Sequence, residues 1–98
     1  MPKMLFVCSG NTCRSPMAAA LMKKALKERG IEGWTVSSAG LMAVPGIPAS
    51  ENAKKALLED HGLKIDDHLS RTVDLSMVAE HDYMIAMTLR HAQWLISR

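Results

Sequence analysis

The first residues constrain the fold most, because they place a buried strand, a tight loop and a helix start in succession. The run KMLFV at Lys3–Val7 is almost continuously apolar, which is typical of a parallel strand covered on both faces. A loop follows over Cys8–Arg14, and then comes a Ser-Pro pair, a favourable combination for a helix start. We predict a helix over Pro16–Arg29, with Ser15 as its N-cap and Gly30 as its stop.

Strand and helix patterns alternate along the rest of the chain. The predicted elements are a strand at 34–39, a helix at 51–62, a short helix capped by Asp74 and ending near Glu80, a buried strand at 83–87, and a last helix capped by Thr88. The segments 40–50 and 63–71 are predicted to be irregular, and the first of them is apolar enough to line a cleft. This order predicts an α/β fold, a parallel sheet with helices on both faces, in one domain over residues 1–98.

Composition excludes several classes of protein. The 98 residues carry a net charge of +2, and the lysines of the first helix alternate with apolar positions, as on a solvated face rather than a nucleic-acid surface. No apolar run is long enough for a signal peptide or a membrane span, so we expect no membrane partner. With two cysteines and no export signal, the sequence predicts a cytoplasmic protein with free thiols.

The loop Cys8–Arg14 has the residue types of a phosphate cradle. Ligands of doubly wound sheets bind beyond the carboxyl ends of the strands, where backbone N–H groups and a helix N-terminus attract anions. The same field favours a thiolate at Cys8, and the Arg14 guanidinium matches two phosphoryl oxygens. Gly10 and Asn11 tolerate left-handed backbone. The hydroxyl of Ser15 could donate to the Cys8 sulfur.

These parts predict a cysteine-dependent phosphatase. A thiolate attacks phosphorus, Arg14 and the amides of residues 9–14 hold the oxygens, and water hydrolyses the cysteinyl-phosphate. A Walker-type loop would need a Gly-Lys-Ser/Thr ending, which is absent from the sequence. A zinc site would need about four ligands, and the four histidines have no suitable spacing to the two cysteines. We expect neither a metal nor a cofactor.

The stretch VCSGNTCRSP resembles the signature of the low-molecular-weight protein phosphatase family, Cys-x-Gly-Asn-x-Cys-Arg-Ser-Pro. The segments SSAG, GIPAS, HLSR and DYMIAM fall in that family's order and spacing, so the resemblance covers essentially all 98 residues. It implies Cys8 as nucleophile, Arg14 as phosphate clamp and Ser15 as thiolate stabiliser. The phosphate-binding loop implied by the match comprises Ser9, Gly10, Asn11, Thr12, Cys13 and Arg14.

The resemblance also implies support for the loop and protection of the nucleophile. Asn11 is expected in left-handed conformation, held by hydrogen bonds with Ser38 and His68. Cys13 is expected to form a reversible disulfide with Cys8, sheltering it from over-oxidation. A small buried hydrophobe is the alternative interpretation of Cys13.

Thr12 departs from the tyrosine-directed members, which typically carry a bulky aliphatic residue there. Members that act on phosphoarginine resemble this sequence in carrying threonine, whose small hydroxyl leaves room for a guanidinium leaving group. The resemblance therefore favours phosphoarginine on protein substrates, with phosphotyrosine as the alternative. Thioredoxin-coupled arsenate reductases share a similar loop, but they need further cysteines that do not follow Cys13 here.

Family members are longer and carry a general acid, an Asp in an Asp-Pro pair, near the C-terminus. This sequence contains no Asp-Pro pair, and the family's last strand and last helix are missing, so we expect a C-terminally incomplete phosphatase domain with weak activity. The strand at 83–87 is then expected to be an apolar sheet edge that promotes self-association. A non-catalytic phosphate-binding or self-associating fragment is the alternative function.

Overall fold

The computed structural model describes residues 2–87, which form three strands and three helices. In chain order these are β1 (Lys3–Cys8), α1 (Arg14–Glu28), β2 (Thr35–Gly40), α2 (Glu51–His61), α3 (Leu75–Glu80) and β3 (Tyr83–Ala86). This order confirms the predicted alternation as far as β3. The helix predicted from Thr88 lies outside the described residues.

The three strands form a parallel sheet with the order β2-β1-β3. The register of β1 against β2 runs from Lys3 opposite Thr35 to Cys8 opposite Gly40. Because β1 is the central strand, the loop that follows Cys8 begins in the middle of the carboxyl edge of the sheet. The sequence predicted that this loop lies at the carboxyl end of β1, but it did not predict that β1 is the central strand.

Helices cover both faces of the sheet, as predicted. On one face Phe6 and Val36 pack against Ala19 of α1. On the other face Leu5 and Val7 form a cluster that is flanked by side chains including Met77 of α3. The helix α2 packs on α1 through a third cluster of Ala49, Ala53, Leu57 and Ile65 with Met17, Ala20, Leu21 and Leu63.

The predicted start of α1 was wrong. The helix begins at Arg14 with Cys13 as its N-cap residue, and no side chain caps it. Ser15 therefore lies inside the first turn, where it is completely buried. Its hydroxyl is bonded to Asn11 and Cys8 instead of to the backbone amides of the helix. Tertiary contacts thus occupy the Ser15 hydroxyl, which the local sequence pattern had predicted to cap the helix.

β3 is less buried than its apolar sequence predicted. Tyr83 is 52% exposed and Ile85 is 37% exposed, because within residues 2–87 the strand pairs only with β1. The Tyr83 ring stacks on Trp34 with ring centroids 5.5 Å apart. Within the described part of the chain, β3 is therefore an edge strand.

Asp74 caps α3, as predicted, and makes this helix sensitive to acid. Hydrogen bonds from the Ser76 hydroxyl and the Met77 N–H lower the pKa of the Asp74 carboxyl. Because the pKa is lower in the folded than in the unfolded state, the stabilisation is complete above the unfolded-state value. It is lost as the pH falls through the lowered value.

We expect the free energy of unfolding to fall more steeply with acidification below about pH 4 than in an Asp74→Asn variant. Asparagine is an equally good N-cap but does not titrate. The measurement is urea unfolding of both proteins across the acid range. If the free energies of unfolding of the two proteins fell equally steeply with acidification, this role of Asp74 would be contradicted.

Candidate active site

The loop between β1 and α1 is held in place from two sides. At its start, the carbonyl oxygens of Cys8 and Ser9 accept hydrogen bonds from the N–H groups of Leu41 (2.9 Å) and Met42 (3.0 Å), which follow β2. At its end, the Thr12 carbonyl accepts a 2.7 Å bond from the N–H of Ser50, the N-cap residue of α2. The loop is thus fixed by backbone bonds to segments distant in sequence.

Asn11 is the centre of the loop, and its side-chain orientation is determined by its neighbours. Its Oδ1 accepts a 2.9 Å bond from the Arg71 N–H, and because an N–H can only donate, the oxygen must lie on that side. The Asn11 Nδ2 then donates to Ser15 Oγ (2.8 Å) and to Ser38 Oγ (2.9 Å). One completely buried amide therefore connects four segments of the chain.

The backbone of Asn11 is equally well bonded. Its carbonyl accepts a 2.6 Å bond from Nε2 of His68, which must carry the proton because a carbonyl oxygen only accepts. Its φ of +59° lies in the left-handed region, where asparagine is one of the few tolerated residues. The conformation that the resemblance implied for Asn11, with Ser38 and His68 as its partners, is thus present.

Two hydrogen-bonding groups lie against the Cys8 sulfur. Ser15 Oγ lies 2.9 Å from Sγ, and either atom could be the donor, because a hydroxyl that accepts from Asn11 can still donate or accept once more. The Asn11 N–H donates to Sγ at 3.3 Å. Both groups lie against a sulfur that is 4% exposed, so the Cys8 side chain is held in one position at the start of the loop.

The other predicted loop residues lie around this buried centre. Arg14 is exposed and makes no hydrogen bond or ion pair with any residue of 2–87, so its guanidinium is available to an anion. Both cysteines are free thiols, with Cys8 buried and Cys13 exposed. Thr12 is half-buried, and Ser9 and Gly10 are exposed.

Two residues that support the site were missed by the sequence analysis. A Cβ on Gly40 would lie 2.5 Å from the Ser9 carbonyl oxygen and 3.1 Å from the Asn11 Cβ, so only glycine allows this close approach. Arg71 donates its N–H to Asn11 and its Nε to the Ser38 carbonyl (3.0 Å). Both residues lie in the quoted segments SSAG and HLSR, but no local pattern revealed these contacts.

The described loop has features of an anion-binding site. Within residues 2–87, no group of three His, Cys, Asp or Glu side chains could hold a metal ion. A loop that ends at a helix N-terminus, with an uncommitted arginine beside it, suits an oxyanion such as phosphate. None of the helices in this part of the chain is long and apolar enough to cross a membrane.

Fold and site together define an α/β protein with a Cys-x5-Arg loop after the central strand. The profile of the family described as "Low molecular weight phosphotyrosine protein phosphatase" matches residues 3–98. The chain belongs to this family.

Known relatives differ in their substrates. The chain is 39% identical over 94 residues to the protein-arginine-phosphatase of Bacillus subtilis, covering 96% of this chain and 61% of the relative. It superimposes with a TM-score of 0.94 on a low molecular weight protein tyrosine phosphatase from T. tengcongensis, at 37% identity, covering 100% of this chain and 66% of that one. A mutant of the YwlE arginine phosphatase with a phosphorylated active-site serine gives a TM-score of 0.90 at 38% identity, covering 97% and 60%.

The chain thus spans about three fifths of the length of the relatives that it matches.

Proposed function

We propose that the chain is a cysteine-dependent phosphatase that acts on phosphorylated protein side chains. The observation that carries this proposal is the buried Cys8 sulfur, which accepts from the Asn11 N–H and lies 2.9 Å from the Ser15 hydroxyl, beside the N-terminus of α1. The Cys8 thiolate attacks phosphorus while the bond to the leaving group breaks, and Arg14 and the loop amides hold the phosphoryl oxygens. Water then attacks the cysteinyl-phosphate, so that Cys8 leaves as a thiolate and inorganic phosphate is released.

The test is to trap the intermediate with p-nitrophenyl phosphate, whose leaving group is activated. After acid quenching, mass spectrometry should find one phosphoryl group on the peptide that contains Cys8. The Cys8→Ser variant should release no nitrophenol above background, whereas Cys13→Ser should still form the intermediate. Nitrophenol release by Cys8→Ser at the rate of the unaltered chain would refute the proposal.

Leaving-group chemistry should limit turnover in the 98-residue chain. Its sequence holds no Asp-Pro pair, and general acid catalysis is typically worth about 10²–10⁴-fold. We therefore expect the chain to turn over nitrophenyl phosphate at least about 10²-fold faster than an unactivated phosphoester. Similar rates on both substrates would show that another group supplies the proton.

We further propose phosphoarginine as the favoured substrate, with phosphotyrosine as the alternative. Support comes from the half-buried Thr12 and from the similarity to a protein-arginine-phosphatase. A Cβ placed on Gly10 would lie 3.7 Å from the Thr12 hydroxyl, so this side chain lies over the exposed part of the loop. We propose that it contacts the leaving group.

Replacing Thr12 with isoleucine should shift the ratio of phosphoarginine to phosphotyrosine kcat/KM by about tenfold or more toward phosphotyrosine. The larger side chain occupies the space proposed for the guanidinium and removes the hydroxyl. Thr12→Val is the matched control, because it removes the hydroxyl at constant size. An unchanged ratio in Thr12→Ile would rule out Thr12 as the specificity determinant.

For Cys13 we propose a redox role in a reducing, cytoplasmic location, in keeping with two free thiols. Hydrogen peroxide oxidises the Cys8 thiolate to a sulfenic acid and is reduced to hydroxide. The Cys13 thiolate then attacks that sulfur and hydroxide leaves, forming the disulfide. Peroxide-treated protein should regain activity with dithiothreitol, and Cys13→Ala should not. Equal recovery of activity in Cys13→Ala and in the unaltered chain would contradict the redox role. Fractionation of the protein with an oxidising compartment would contradict the cytoplasmic location.

Self-association is the second candidate function. Its support is the edge position of β3, with the exposed side chains of Tyr83 and Ile85. We expect the 98-residue chain to be a dimer or larger at micromolar concentration by light scattering, and Ile85→Lys to lower its mass. A monomer mass for the unaltered chain would contradict it.

A further inference from the structure

The hydrogen bonds around β2 show which of its backbone groups point away from the sheet. The N–H of Thr35 donates to the Pro2 carbonyl, and the N–H of Leu41 donates to the Cys8 carbonyl, both at 2.9 Å. The odd-numbered residues of this strand therefore direct their backbone groups toward β1. By the alternation of a parallel ladder, the even-numbered residues direct theirs outward.

The outer edge of β2 is only partly occupied. Gly40 bonds through its N–H to the Arg71 carbonyl and through its own carbonyl to the Val73 N–H, each at 2.8 Å. The Ser38 carbonyl accepts from the Arg71 side chain. The N–H of Ser38 and both backbone groups of Val36 have no hydrogen-bond partner within residues 2–87. Within residues 2–87, no strand therefore pairs with the outer edge of β2 at Val36 and Ser38, although these residues are only 5% and 8% exposed.

A groove runs beside this open edge. Its larger part has a cavity volume of about 720 Å³ and lies between β2, α1 and the segment after α2. It is adjoined by a smaller cavity of about 390 Å³ beside Trp34, and both are lined by Val36, Lys23 and Lys27. Ala19 and Ile65 add apolar surface to the larger part. An extended peptide has a width and a mixed polarity that fit such a groove.

The charges of the groove are mostly positive, with Glu32 in the smaller cavity as one exception. In the larger cavity, the single described acidic side chain is Asp67, opposed by Lys23, Lys24, Lys27, Lys64 and Arg71. Lys24 is engaged, since it bonds to the His61 carbonyl and pairs with Glu28. No hydrogen bond or ion pair joins Lys23, Lys27 or Lys64 to any residue of 2–87. Three exposed cations therefore border the edge without an anionic partner.

We propose that the outer edge of β2 binds an extended acidic segment of a partner protein. The segment adds a strand to the sheet, with its backbone bonded to Val36 and Ser38. Its carboxylates lie against Lys23, Lys27 and Lys64. Lysines beside a strand edge also discourage pairing with neutral or basic chains, so the same charges select an acidic one.

The groove is lined in part by Ser38, His68 and Arg71, which also support Asn11, but Cys8 and Arg14 are not among its lining residues. The proposal therefore concerns binding of a partner and not the phosphatase reaction.

The charge requirement is tested with a fluorescein-labelled peptide of about seven alternating Glu and Val residues. Anisotropy at low ionic strength should show saturable binding to the 98-residue chain, weakened by added salt. Lys23→Glu with Lys27→Glu should weaken binding about tenfold. Lys3→Glu is the control, because it makes the same charge change per site on β1 and Lys3 lines neither cavity of the groove. Equal losses of binding affinity per altered charge in the groove variant and in the control variant would overturn the proposal. The absence of binding at millimolar peptide would do so as well.

The backbone requirement is tested without altering the protein. Two peptides are compared, one N-methylated at its odd-numbered amides and the other at its even-numbered amides. Both keep their charges, and the one whose methyl groups face β2 should lose binding, because strand pairing is blocked. The peptide should also slow amide hydrogen exchange at Val36 and Ser38 while leaving Ser37 unchanged, because the Ser37 N–H faces β1. Binding that survives methylation in both registers, or that inorganic phosphate or single-stranded DNA displaces equally well, would overturn the proposal.

Discussion

An Asn11→Ala variant should be destabilised by about 3 kcal/mol or more, because it breaks three hydrogen bonds at once, two of them buried and the one from Arg71 partly buried. The Arg71 N–H loses its acceptor, and the hydroxyls of Ser15 and Ser38 lose their donor. Alanine is also strained at a φ of +59°, by roughly 1–2 kcal/mol. Urea unfolding measures the loss, and phosphate trapping on Cys8 should disappear with it.

The control for this variant is Asn52→Ala, which removes an exposed asparagine from α2. Its free energy of unfolding should change by no more than about 0.5 kcal/mol. An Asn11→Asp variant separates the two causes, because aspartate keeps the acceptor for Arg71 and tolerates left-handed backbone. If Asn11→Ala were as stable as Asn52→Ala, the buried amide would not be the centre of the loop.

A Gly40→Ala variant should lose about 10²-fold in turnover, although no substrate is proposed to touch Gly40. Its new methyl group would lie 2.5 Å from the Ser9 carbonyl oxygen, a backbone atom that cannot rotate away. The loop must therefore move, and displacement of reacting groups by about 1 Å costs this much activity. The measurement is steady-state turnover of nitrophenyl phosphate by a variant that is folded by circular dichroism.

Gly10→Ala is the matched comparison for stability. A methyl group there would meet only the Thr12 hydroxyl at 3.7 Å, which is an ordinary contact. Gly40→Ala should cost about 1–3 kcal/mol of unfolding free energy through overpacking, and Gly10→Ala should cost less. Equal stability of the two variants, with full activity in Gly40→Ala, would mean that the loop is free to shift.

The elements and the loop could be predicted because their causes are local. Apolar runs, Asp74 before α3 and the loop's own residue types are all visible within about ten residues of sequence. The supporting contacts could not be predicted in this way. Gly40 and Arg71 act on the loop from segments far along the chain, and their types are common in loops of any kind.

Ser15 and β3 show where local patterns mislead. A serine before proline is a good N-cap, yet two partners from the tertiary structure determine the position of the Ser15 hydroxyl. An apolar run such as that of β3 indicates that a strand is suited to burial. It does not indicate how many neighbours the strand has, which depends on the whole sheet.

The bond between the Ser50 N–H and the Thr12 carbonyl has a consequence for motion. Ser50 also caps α2, since its hydroxyl accepts from the Ala53 N–H at 3.2 Å. Opening the end of the loop therefore exposes the first turn of α2, and the two segments should exchange their amide protons as one unit. Ser50 thus reports from outside the loop whether an anion has made the loop more rigid.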